Sequence, residues 1–310
     1  MVNYYRIKRA GYPCSDLEDE MMKKSKFLAL LLALAMMLAL TACGGGNSGT
    51  SDDAPPADTA GDASPDNADG EQANADSDLA YVQGKGTLIV GITEFEPMDY
   101  QDSDGNWIGF DADLAKAFAE SLGVTVEFQP IDWDSKVMEL NGKTIDVVWN
   151  GMTLTDEVKS SMECSNPYFN NAQVIIVPAD KAAEVTDAES AKDLAFAVEI
   201  GSAGKEQADA NGFSYTEVAD QATALLEVSS GTADAAIIDY LMAAAMTGEG
   251  TSYENLTFTA SLNSEEYGVG FRQGSDMAAA LNEFFASAYA DGTMQSIADT
   301  YNIGDMLVKQ

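Results

Sequence analysis

From Tyr81 onward the apolar positions follow two alternating rhythms. Short runs rich in apolar and β-branched residues at 87–92, 124–128 and 145–149 read as strands. Between them, residues 111–122 and 133–141 carry apolar positions at helical spacing and stop at Gly123 and Gly142. Leu114, Phe118 and Leu122 fall four apart and predict one buried stripe, while Asp111 and Asp113 sit where a helix N-terminus favours acids and are read as helix-start residues. A second set follows: a strand over 172–177 closed by Pro178, a strand over 196–200, a helix from Gly204, a strand over 214–218, a helix over 220–229 and a strand over 235–238. A strand over 267–272 then precedes helices over 276–290 and 293–301, separated by Asp291-Gly292. Strands alternating with helices predict an α/β fold on mostly parallel sheet, and no fixed short period suggests a solenoid. About 230 residues suffice for two modest lobes.

The N-terminal pattern differs. Lys23, Lys24 and Lys26 precede fourteen uninterrupted apolar residues, 27–40, which suits a signal-peptide core and is short for a bilayer-spanning helix. Leu40-Thr41-Ala42-Cys43 then forms a lipobox, so the mature chain is expected to start at Cys43, acylated there by palmitate-type chains. Residues 1–20 fit poorly before such a signal, and translation is expected to begin at Met21 or Met22. Residues 44–80 hold nine carboxylates among Gly, Ala, Ser, Asn and Pro, with no Lys, Arg or aromatic residue. Such a segment cannot bury a core and predicts a flexible acidic tether.

Composition narrows the chemistry. From Cys43 the formal charge is −37, which disfavours nucleic acid and draws cations towards any carboxylate-lined cleft. The chain has no histidine, removing Ser-His-Asp and Cys-His nucleophile pairs and HExxH zinc sites. Cys164 stands alone in the folded part, so no intramolecular disulfide forms there. No cofactor, metal site or catalytic residue is expected.

Gly109-Phe110-Asp111-Ala112-Asp113-Leu114 resembles the signature of family 3 solute-binding proteins, the polar amino-acid type that serves ABC importers. The resemblance extends through Ile145-Asp146-Val147-Val148, Thr155-Asp156-Glu157, Ser165-Asn166-Pro167-Tyr168, Gly231 with Asp234, Gly268-Val269-Gly270-Phe271-Arg272 and Asp291-Gly292-Thr293. It implies a two-lobed periplasmic-binding-protein fold of type II, with two chain crossings at the hinge and closure on a small molecule. The implied division is a signal peptide over 1–42, lipidated cysteine and tether over 43–80, lobe 1 over 81–174 plus 264–310, and lobe 2 over 175–263. It also implies an ABC permease and its ATPase as partners, a monomer, and attachment through Cys43 to the outer plasma-membrane face, or a periplasmic position in a two-membrane cell.

Carried over by position, Phe95 and Trp133 would sandwich the ligand, and their ring faces would favour a cation. Asp239, at the end of an apolar strand, would pair with a ligand ammonium group or cap the following helix. Ser202 and Ala203, with Gly204, would offer backbone N–H groups to a carboxylate, and Asn150, Gly151 and Thr153 would line the opposite wall. Val158 departs from the pattern, standing where the family places a carboxylate-clamping arginine. Arg272, the only arginine after Cys43, lies in a framework motif, and Lys159 would point elsewhere. The expected ligand is therefore an amino acid or related ammonium compound, with a polyamine or quaternary amine as the alternative. A dehydratase-like enzyme on the same fold would need a carboxylate such as Glu94, Glu96 or Glu199.

Overall fold

The computed structural model describes residues 77–310; the lipobox with Cys43 and nearly all of the acidic tether lie outside them. The first described element is helix α1 (Asp78–Lys85), capped by the Ser77 hydroxyl, which accepts from the Ala80 N–H. Asp78, Leu79 and Ala80 therefore belong to the folded body and not to the tether, a correction to the expected boundary at Tyr81. Arg272 holds α1 in place: its Nε donates to Asp78 at 3.0 Å, and its Nη1 donates to the carbonyls of Leu140 and Ile145 at 3.0 and 3.1 Å.

Two sheets carry the fold, beside a short hairpin of β2 (Tyr100–Gln101) and β3 (Trp107–Ile108) and a short helix α4 (Asp156–Ser161). The first runs in the order β4 (Thr125–Pro130), β1 (Thr87–Ile92), β5 (Val147–Thr153), β13 (Glu265–Phe271) and β6 (Glu163–Cys164), with β7 (Phe169–Asn171) also paired to β13. The second runs β10 (Ser214–Val218), β9 (Ala195–Glu199), β11 (Ala235–Asp239), β8 (Gln173–Pro178) and β12 (Leu256–Ser261). In each, the strands joined through helices pair in parallel: β4-β1-β5 through α2 (Phe110–Ser121) and α3 (Lys136–Asn141), and β9-β10 and β9-β11 through α5 (Ala203–Asn211) and α6 (Gln221–Ser230). The strands next to the sheet-to-sheet connections run antiparallel. The chain passes to the second sheet between β7 and β8 and returns between β12 and β13, so Gln173 and Val174 pair in the second sheet, not with the first lobe as expected.

Apolar spacing explains the packing. In α2, Leu114 and Phe118 are buried, and the Phe118 ring lies against Trp149 and against Phe284 of α8 (Met277–Ala290). Asp111 departs from its reading as a simple helix-start acid. It is wholly buried, and its Oδ2 accepts from the Gly151 N–H at 2.6 Å and the Tyr168 hydroxyl at 2.7 Å. Residues 133–141, expected as one helix, open with a 3₁₀ turn at Trp133–Ser135 before α3.

One carboxylate ties both crossings together. Glu265 Oε1 accepts from Thr153 Oγ1 (2.9 Å), Asn171 Nδ2 (2.7 Å) and Gln173 Nε2 (2.8 Å), and its Oε2 accepts from Asn263 Nδ2 (2.7 Å).

Candidate functional site

The C-terminal ends of β5, β9 and β11 face one another across a cleft of about 410 Å³, where open α/β sheets bind ligands. Trp133, Asn150, Gly151, Thr153 and Val158 line it from the first sheet's side; Ser202, Ala203 and Asp239 line it from the second. The residues singled out in the sequence thus converge, with one exception. Phe95 is buried beneath Gly151, edge-on to Tyr267 at 6.3 Å between ring centres, and does not line the cavity. Gly151 adopts φ +55°, and a Cβ there would approach the Phe95 ring to 2.4 Å. The aromatic sandwich is corrected accordingly: Trp133 alone supplies a ring to this wall.

Many polar groups on the walls are internally committed. Asn150 accepts from the Thr93 N–H at 2.8 Å and donates to the Thr93 hydroxyl at 2.7 Å. The Gly151 N–H is spent on Asp111, and the Thr153 hydroxyl on Glu265. Asp239 heads α7 (Tyr240–Met246) without capping it through its side chain. Instead its Oδ1 accepts from Asn171 Nδ2 and the Tyr267 hydroxyl, and its Oδ2 from Gln221 Nε2. Burial and the nearby Glu265 charge push its carboxyl up to about 7, against the stabilising hydrogen bonds from Tyr267, Gln221 and Gln173.

Glu199, the last residue of β9, is a second acid in the wall. Burial, with the charges of Asp239 and Asp220, pushes it up to about 8, while Gln221 and Lys136 act in the opposite direction. At the N-terminus of α5 the Ser202 hydroxyl donates to the Glu199 carbonyl at 2.8 Å and accepts from the Lys205 N–H at 3.1 Å. That leaves the first-turn N–H groups of Ala203 and Gly204 without helical partners, as at any helix start.

Lys136 was not anticipated. It opens α3, and its Nζ lies 4.7 Å from the Trp133 ring centre. It donates to the Trp133 carbonyl at 3.1 Å and, across the cleft, to the Gly201 carbonyl at 3.0 Å. Burial lowers its pKa, while the charges of Glu199, Glu157, Asp134 and Glu206 oppose the fall. The signal was present as Trp133-x-x-Lys136, a spacing that places both side chains on one helical face. Seven carboxylates line the cavity against two lysines, so its walls favour positive charge.

Comparison with known proteins agrees with this architecture. The model of bacterial extracellular solute-binding proteins, family 3, matches residues 88–304. The L-cystine-binding protein TcyJ of Escherichia coli is 29% identical over 227 residues, covering 72% of this chain and 85% of the relative. The arginine-binding extracellular protein ArtP of Bacillus subtilis is 27% identical over 290 residues, covering 90% and 99%. A crystal structure of an ABC uptake transporter substrate-binding protein from Streptococcus pneumoniae with bound histidine superposes with a TM-score of 0.70 at 30% identity, covering 76% of this chain and all of that one. With its two sheets crossed twice by the chain and a cleft between them, this protein belongs to the bacterial extracellular solute-binding proteins of family 3, the extracytoplasmic solute-capturing components of ABC importers.

Proposed function

We propose that this chain captures an α-amino acid, preferentially one with a cationic side chain, by closure of its two lobes, and delivers it to an ABC permease without transforming it. The observation that carries the preference is the excess of carboxylates in a cleft of amino-acid size. Trp133 supplies the ring against which the ligand packs, and Asn150, Gly151 and Thr153 shape the wall. Ser202 and Ala203 contribute the helix start, and Asp239 and Glu199 face the ammonium group, whose positive charge would favour their ionised forms on binding. The named relatives bind cystine, arginine and histidine, which is consistent with an amino-acid ligand. Acylation at Cys43 would hold the protein, as a monomer, at the outer face of the membrane.

Isothermal titration of the full chain with L-arginine, L-histidine, L-cystine, spermidine and glycine betaine tests the reading. Saturable binding of an α-amino acid, strongest for a cationic one, is the expected result. Binding confined to spermidine or betaine would replace it with amine uptake, the reading that the missing arginine at Val158 favours. Conversion of a bound amino acid, followed by mass spectrometry, would overturn the non-enzymatic role.

A further inference from the structure

A carboxylate entering this acid-lined cleft is favoured by a cation beside it, in addition to the N–H groups at the start of α5, and the arginine that the family motif would place at residue 158 is valine. Two lysines line the cavity. Lys205 is engaged: its Nζ bonds Asp209 at 2.8 Å and lies 3.9 Å from Glu217, on the ring of Tyr215. Lys159 lines the adjoining groove instead, and Arg272 is bound beneath α1. Lys136 remains. An ammonium group has three N–H donors, and two of them are accounted for by the carbonyls of Trp133 and Gly201. The third is unassigned on a group that lines the cavity, and the Trp133 ring together with the two carbonyls fixes where Nζ sits.

We infer that Lys136 binds the ligand's carboxylate, so that this cleft selects α-amino acids over the corresponding amines with a lysine on the first lobe in place of the missing arginine. The inference rests on reading the cleft as an amino-acid site. The surroundings explain why a zwitterion suits it. Asp134, Glu157, Glu199 and Glu206 all surround Lys136, and any of them that is ionised repels a carboxylate that arrives without a positive charge of its own. An α-amino acid brings both: its carboxylate meets Lys136 while its ammonium group meets the Glu199 side of the wall. The approach is local, because Lys136 already reaches Gly201 of the opposite wall and its Nζ would have to move little to donate to a third partner.

The test is isothermal titration of the full chain, wild type, Lys136→Met and Lys136→Arg, with L-arginine, L-histidine and L-cystine and with agmatine, histamine and cystamine, the same molecules without the carboxylates. The wild type is expected to prefer the amino acid that it binds over its amine by at least tenfold. Lys136→Met should weaken the amino acid by roughly ten- to a hundredfold, leave the amine within about threefold, and so collapse the ratio, while Lys136→Arg keeps it. If the methionine variant does not fold, as judged by its thermal midpoint, Lys136→Gln takes its place. An unchanged ratio in the neutral variant overturns the inference and leaves the amino-acid reading standing. Binding of amines alone by the wild type overturns both, as does the absence of any binding.

Discussion

Replacing Glu199 by glutamine should change how stability depends on pH, by an amount that the structure sets. In the folded chain the Glu199 carboxyl holds its proton up to about pH 8, against 4.5 in an unfolded chain. Between those values the folded state binds the extra proton, so stability falls as pH rises from about 4.5 to 8 and stays at its lower level above that. At about 1.4 kcal/mol per pH unit over the span from 4.5 to about 8, the penalty carried by the wild type levels off at about 5 kcal/mol above pH 8. Glutamine has the same shape and no charge, so it escapes this penalty. For a folded body of this size each kcal/mol is worth roughly 2–4 °C in midpoint. Scanning fluorimetry of ligand-free wild type and Glu199→Gln from pH 5 to pH 9 should give midpoints that separate progressively with pH, the variant ending about 10 °C higher. Acids remote from Glu199 titrate in both proteins and cancel in the difference, whereas Asp239 and Asp220, whose charges act on Glu199, are relieved in the variant and add to the separation. A difference that stays constant within about 2 °C across that range would refute the claim that burial holds Glu199 protonated.

Three further outcomes follow from other parts of the molecule. Val158→Arg adds a guanidinium to the cavity wall and should tighten α-amino acids about tenfold in titration calorimetry, with no gain for decarboxylated analogues. Arg272→Ala removes the group that joins Asp78 to the carbonyls of Leu140 and Ile145, and should cost about 3–5 kcal/mol in urea unfolding with little change in ligand preference. Gly201 has φ +69°, and a Cβ there would come within 3.0 Å of the Asp134 backbone. Gly201→Ala should therefore hold the two walls apart and weaken ligand binding at least tenfold, measured against a midpoint lowered by about 1–3 °C.

The strand and helix pattern was readable because each rhythm reports one buried face. Strands 87–92 and 214–218 were placed at their observed ends, and most others shifted by one or two residues where a cap decides the boundary. Helix α1 was not readable, because Asp78-Leu79-Ala80 continues the composition of the acidic segment before it. What orders those residues is distant in sequence: Arg272 on Asp78, and Asp276, which accepts from the Ser77 hydroxyl and the Leu79 N–H. In the cleft, seven of the eight ligand-binding positions expected from the resemblance share one cavity, since each sits at a strand end or helix start that the pattern located. Phe95 fell outside because a position in a turn does not report side-chain direction, and the turn folds its ring under Gly151. Lys136 escaped notice for a related reason. Its helix was read for the apolar side, whereas its long stem lets the ammonium group reach the cleft from a largely buried position.

The four hydrogen bonds on Glu265 have a mechanical consequence. Because one carboxylate gathers donors from β5, from both sides of the first crossing and from the return segment, the two connecting segments are riveted to each other and cannot splay apart independently. A swing of the lobes that kept these bonds would have to turn about this one point, with bending taken up by the residues flanking it. Were solute entry to swing the lobes, the joint would carry that motion as one coordinated movement, and a permease in contact with either lobe would meet the same signal of occupancy.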